Sequence, residues 1–410
     1  MMLYVINANL YILGAEAILA VLCLCLDKYF GKFQIIDLSK KRTSFELLYF
    51  ALLKTLSVFY FAHIFFISLS SITLVYLSLP YIFLLPSELS TAVLVLEIFI
   101  IFSTIFAIVK ILNKNTDKPT SHIPITPQTE PLLFNLIDEL SEYYSVPQIN
   151  DVYITPGAEL DIVENVHSLD DIFYGGSKKL VVGLSALQFL TASDFKVLLT
   201  RQFALHSTID ESGGLFVKRL IRRLEILVTN INNNSGIFTF VPVAWFAYLG
   251  QIVFSNITNG YTLLLELRAD EETADYCGTN QLKVALSRYN VETEMLKETI
   301  AIVSSQSIDE HKDLGHIYQS IKKARFKPDD EVAEIVKYLF NDEGDYAALE
   351  NKRSLKLRLK RLPETAVSEP DIKHPAYTYL DNWVQTENRM VRIIGNNPNL
   401  YLEQDKSNTV

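Results

Sequence analysis

The chain has 410 residues and a formal net charge of −10, and no long basic stretch interrupts it, which excludes nucleic acid as the main partner. Its length allows two or three domains. Cys23, Cys25 and Cys277 fit neither a disulfide framework nor a zinc spacing, so they read as reduced thiols acting as small apolar side chains.

The first quarter of the chain is dominated by Leu, Ile, Phe, Val and Tyr. Leu10 to Leu26 is apolar apart from Glu16 and ends at Asp27 and Lys28. It lacks a basic leader and a small-residue cleavage site, so it reads as a retained anchor in the lipid bilayer. Phe45 to Leu85 is interrupted by Glu46, Lys54 and His63, and Thr91 to Leu112 carries only Glu97 and Lys110 as charges. Lys28, Lys32, Lys40, Lys41 and Arg42 lie between the first two runs, Lys114 and Lys118 follow the last, and none lies near Ser87. Basic residues favour the cytoplasmic side. Three spans fit this pattern, with the N-terminus outside and everything after Lys114 in the cytoplasm; the expected localisation is a cell or inner membrane. A four-span alternative splits the long run near Ser68 to Ser71. Glu16, His63 and Glu97 are costly inside apolar runs, and are expected to sit at an interface or face a neighbouring helix.

After Lys114 the composition becomes charged. Pro124 to Pro131 reads as a linker. Leu132, Leu133, Leu136, Ile137 and Leu140 recur at helical spacing, so Glu130 to Tyr144 is predicted helical. Val152 to Ile154 and Lys179 to Val182 read as short strands, the second running into a helix near Ser185. Ser193 is expected to open an amphipathic helix reaching His206, with Asp194 in its first turn facing the helix dipole. Ile237 to Ile257 is apolar and contains Pro242, Trp245 and Gly250; it reads as a buried or membrane-apposed helix, with a further membrane crossing as the alternative. The expected fold is mainly α with a small β-sheet (α+β). Residues 1–113 would form a transmembrane region, 114–129 a linker, 130–365 a soluble domain and 366–410 a C-terminal extension.

Two segments carry the chemistry: KVLLTRQFALHSTID at 196–210 and LLLELRADEETADYCG at 263–278. Together they resemble the signature helices of the HtpX-like and CAAX prenyl endopeptidase family of membrane-bound zinc metallopeptidases. In that family the first helix carries H-E-x-x-H and the second Glu-x-x-x-Asp. Two His at i and i+4 share a helix face and bind Zn²⁺, the intervening Glu acts as general base, and a Glu from the second helix completes the ligand set. The likeness extends from residue 124 to about 365. It takes in the entry helix at Glu130, the Val-Tyr-Ile strand and the strand at Lys178. In NKRSLKLRLKRL at 351–362, Lys352 and Arg353 replace a His-Pro, while Leu355, Arg358, Leu359 and Leu362 keep the rest of the family's late motif.

The resemblance implies a gluzincin-like domain whose first helix has lost its chemistry. Arg201 stands at the first His, Gln202 at the general base and Leu205 at the second His. Glu266 keeps the third ligand position, and Asp270 the carboxylate that supports a ligand His. His206 is about 100° of helix rotation away from Leu205, so it does not replace it. An amide accepts no proton at working pH. No cofactor is therefore expected, although active relatives hold zinc. Arg201 is expected to bridge Glu266 and Asp270 in place of the metal. The plainer alternatives are a solvated face for Glu266 and Asp270 and an exposed or core role for His206. His311, His316 and the basic face at Lys352 to Arg361 read as surface. The expected function is a pseudopeptidase that binds or regulates protein or peptide segments, with Lys179, Leu180, Val181 and Val182 as an edge strand for strand addition. Alternatives are an active zinc metalloendopeptidase with a rebuilt site and a purely structural membrane protein.

Overall fold

The computed structural model describes residues 2–32, 44–82, 84, 86–112, 122–164, 171, 175–212, 216–222, 242–310, 358–362 and 372–396. In chain order these contain α1 (Met2–Lys32), α2 (Ser44–Ile82), α3 (Ser87–Leu112), β1 (Ile123–Ile125), α4 (Pro131–Tyr143), β2 (Asp151–Thr155), β3 (Leu160–Glu164) and β4 (Lys178–Gly183). There follow α5 (Leu184–Phe189), α6 (Ala192–Ser212), α7 (Pro242–Ile257), α8 (Asn259–Cys277), α9 (Thr279–Glu310), a 3₁₀ turn at Ala376–Tyr379 and α10 (Trp383–Asn396). The fold is mainly helical with one small mixed sheet, an α+β arrangement. It divides into two compact units, one of residues 1–117, 164–176 and 209–264, the other of 118–163, 177–208 and 265–410.

The first unit is helical. Two of its helices, over Met2–Lys28 and Glu46–Ile82, are long and apolar enough to cross a membrane. The long apolar run is one continuous helix of 39 residues, ~58 Å at 1.5 Å per residue, so no break at Ser68 to Ser71 supports a four-span split. The third expected span lies in α3, a helix of 26 residues. Several polar groups inside the apolar runs meet a polar partner on another helix. Asn9 donates to Ser70 Oγ at 3.1 Å, Glu16 Oε2 lies 2.7 Å from His63 Nδ1, and Tyr49 Oη lies 2.9 Å from Asp27 Oδ1. Partner numbers rise on α1 as they fall on α2, so the two helices run antiparallel. Asn9 and Glu16 are seven residues apart, as are His63 and Ser70, a heptad spacing that sets the register of the pair. On α3, Glu97 accepts a hydrogen bond from Ser78. Asp27 also accepts from the backbone N–H of Gly260 at 2.5 Å and so caps the start of α8. The approach is close: a Cβ on Gly260 would lie 2.8 Å from the Asp27 backbone oxygen.

α7 packs against α1, α2 and α3. Phe246 stacks on Tyr60 with ring centroids 4.4 Å apart, the Tyr60 hydroxyl donates to the Phe246 carbonyl, and Gly250 admits the Tyr60 ring where a Cβ would collide with it. Elsewhere in this unit Arg219 grips Glu164 with two hydrogen bonds of 2.8 Å. Gly175, at φ +88°, turns the chain beside that pair.

The second unit holds the sheet, in the order β1-β2-β4-β3. β1 pairs antiparallel with β2, and β2 pairs parallel with β4, setting Val152 beside Leu180 and Ile154 beside Val182. These four side chains are buried with Leu133, Ile137 and Leu140 of α4 and with Phe195, Leu199 and Phe203 of α6. Three sequence readings are corrected here. Ile123 to Ile125, placed in a linker, form an edge strand. The sheet covers Ile123 and Ile125 while Pro124 points out, and an edge is where a strand tolerates the lost N–H of proline. Residues 372–396, read as an extension, belong to the core. Ala192 N–H donates to His374 O at 2.6 Å, Ala376 N–H to Leu190 O at 2.8 Å, and Met390 is fully buried. Lys179 to Val182 lie in β4, which is hydrogen-bonded on both sides and is an interior strand; the edges are β1 and β3.

Candidate functional site

α6 is positioned by its own start. Thr191 Oγ1 accepts the Asp194 N–H at 3.1 Å, and Asp194 Oδ2 accepts from Thr191 Oγ1 at 2.7 Å and from Thr191 N at 3.3 Å. This is a reciprocal capping box, so Thr191 rather than Ser193 opens the helix. Arg288 of α9 adds an ion pair to the same Asp194 carboxylate.

Two turns further on, the buried side chain of Arg201 reaches α8. Its Nε donates to Asp270 Oδ1 at 2.7 Å, and its Nη2 lies 4.0 Å from Glu266 Oε2. A second guanidinium arrives from the helical residues 358–361. Arg358 Nε donates to Asp270 Oδ2 at 2.6 Å, its Nη2 to Asp270 Oδ1 at 2.9 Å, and its Nη1 lies 3.2 Å from Glu266 Oε2. Two arginines and two carboxylates thus form a closed, charge-balanced quartet. Asp270 is its centre, almost wholly buried, and it takes all three hydrogen bonds. Glu266 is its outer member, partly open to solvent. Burial alone would push the Asp270 carboxyl up, but the Arg201 and Arg358 guanidiniums outweigh it and hold the group below its ordinary 3.8. Burial opposes the charge on Arg358, and Asp270 and then Glu266 overcome that and raise its pKa.

The expected residues are therefore distributed as follows. Arg201, Glu266 and Asp270 come together. Gln202 sits beside them, half-buried, and its Oε1 has no hydrogen-bond partner among the described residues; Arg201 Nη2 likewise makes no hydrogen bond. Leu205 packs half-buried against the core. His206 is buried, with Nε2 2.6 Å from the carbonyl of Ile162 on the edge strand β3. Arg358 is the member missed from sequence. The basic run around it read as a surface face, yet Arg358 is buried while its neighbour Lys360 is exposed. The available signal was its place at the Arg of the late motif. His311, His316, Lys352 and Arg353 lie outside the described residues.

The zinc that the resemblance implies does not fit these residues. Among the described residues no group of three or more His, Cys, Asp or Glu could hold a metal ion. Glu266, at the ligand position that the resemblance keeps, faces two guanidiniums whose fixed positive charge repels a cation. The quartet cross-links α6, α8 and residues 358–361. Comparison of the chain with models of known families, with curated proteins and with solved structures finds no match.

Proposed function

We propose that this is an integral membrane pseudopeptidase: a chain anchored through α1, α2 and α3, with a metallopeptidase-like domain that binds or regulates protein segments and does not cut them. The positive-inside pattern of the sequence supports a cytoplasmic side for that domain. The observation that carries the reading is the Arg201–Asp270–Arg358–Glu266 quartet. A guanidinium stands where the resemblance expects the first zinc ligand, and the neighbouring Gln202 amide cannot take a proton from water at working pH. The retained carboxylates are committed to holding elements together. An extended peptide adding to the sheet would do so at an edge strand, β3 or β1.

The test of inactivity uses the full chain in detergent with a quenched-fluorescent casein substrate, with and without added zinc. No turnover above the protein-free background is expected in either condition. Zinc-dependent cleavage abolished by a chelator would overturn the reading in favour of a working metallopeptidase.

A further inference from the structure

In the first unit, α7 is buried on one side only. Ala247, Gly250, Phe254 and Ile257 face α1 to α3, while Trp245, Tyr248, Leu249, Ile252 and Val253 form an i, i+3, i+4, i+7, i+8 stripe that is 37 to 55% exposed. None of the 16 residues of α7 is charged. A continuous aromatic and aliphatic stripe of this kind needs a covering phase. At ~24 Å the helix is shorter than the ~30 Å hydrocarbon layer, so length and hydropathy do not mark it as a span.

We propose that the outward stripe of α7 is covered by lipid acyl chains, so that the membrane surface of this protein includes a segment more than a hundred residues beyond α3. One observation selects lipid over a protein partner, and a second agrees with it. The stripe belongs to a helix packed directly on α1 and α2, whose own outward residues, such as Leu22, Phe59 and Leu69, are equally apolar and exposed. Exposed polar side chains also turn inward: Ser255 and Asn256 donate to the Ile252 carbonyl at 2.9 and 2.8 Å. On α2, Thr55 and Thr73 donate to the carbonyls four residues back at 2.7 and 2.8 Å. Where no water is at hand, a helix's own carbonyls are the partners that remain.

The inference rests on α1 and α2 crossing the bilayer, and the experiment separates the two. The chain has two tryptophans, Trp245 and Trp383. Full-length protein carrying Trp383→Phe is reconstituted into phosphatidylcholine vesicles with plain or dibrominated acyl chains. Flotation of the protein with alkali-washed vesicles establishes anchoring independently. In protein that floats, Trp245 is expected to emit to the blue, to lose most of its emission in brominated lipid and to resist acrylamide. Floating protein with equal emission in both lipids overturns the inference and leaves anchoring intact, whether acrylamide then quenches Trp245 or a protein surface shields it. Protein that does not float overturns the membrane reading itself. A second variant, Trp245→Phe with Trp383→Phe and Leu249→Trp, repeats the measurement on the same stripe should the first fail to fold.

Discussion

Asp270→Asn is expected to destabilise the second unit by about 3–5 kcal/mol, the usual cost of removing one partner from a buried ion pair. The substitution keeps the shape and one acceptor oxygen but leaves Arg201 and Arg358 with only the partly open Glu266 as counter-charge. In thermal unfolding of the full chain this corresponds to a fall of about 10 °C for a unit of this size. Arg201→Leu costs less, because Asp270 remains held by two hydrogen bonds from Arg358. The same carboxylate sets a pH dependence. Its pKa is depressed in the folded state, so its stabilisation is complete above the ordinary 3.8 and is lost as pH falls through the lower folded value. Wild-type protein should lose stability over that acidic window, and Asp270→Asn should show a shallower slope. Equal stability of Asp270→Asn and wild type within about 1 kcal/mol would mean that the quartet contributes nothing beyond hydrophobic packing of the same volume.

The combined variant Arg201→His, Gln202→Glu and Leu205→His is expected to acquire about one zinc per chain, the occupancy of a single site of three protein ligands and one open position. Residues 201 and 205 are four apart on α6 and so lie on one face. Glu266 faces residue 201 across the interface, and Asp270 would remain anchored by Arg358. Leu205 is only half-buried, so an imidazole there keeps access to water. Cobalt(II) uptake with tetrahedral d–d absorption gives a readout independent of activity. Arg201→His alone, with two of the four groups still missing, should hold no metal. A folded triple variant that binds neither ion would show that the helices share a motif order with the zinc peptidases without sharing their geometry.

In the second unit α4 and β2 were legible because each is half-covered and periodic, as with Leu133, Ile137 and Leu140 of α4 or Val152 and Ile154 of β2, whereas β3, α9 and α10 were not anticipated. What escaped was long-range. Ile123-Pro124-Ile125 is too short, and too Pro-marked, to read as a strand without β2 beside it. Residues 372–396 show no sign in isolation that His374 will meet the start of α6. The interior place of β4 was hinted at by the unbroken apolar run Leu180-Val181-Val182, since a strand covered on both faces does not alternate. In the site, Arg201, Glu266 and Asp270 could be paired because the resemblance sets residue 201 opposite Glu266, helix spacing puts Glu266 and Asp270 one turn apart, and buried charges must be matched. Arg358 could not, because a run of Lys and Arg conceals which one turns inward. Nor could the pairing of Glu16 with His63 be read, since single ionisable groups in apolar runs reveal their partners only once the helices are in register.

The central claim is that a guanidinium has taken the place of a metal as the link between α6 and α8, and the zinc content of the wild-type chain tests it most directly. Full-length protein purified without chelators, equilibrated with excess zinc and then desalted should carry no zinc above the level of the buffer. Retention of about one zinc per chain would contradict the account, because an ion could bind only if Arg201 had left Glu266 and Asp270.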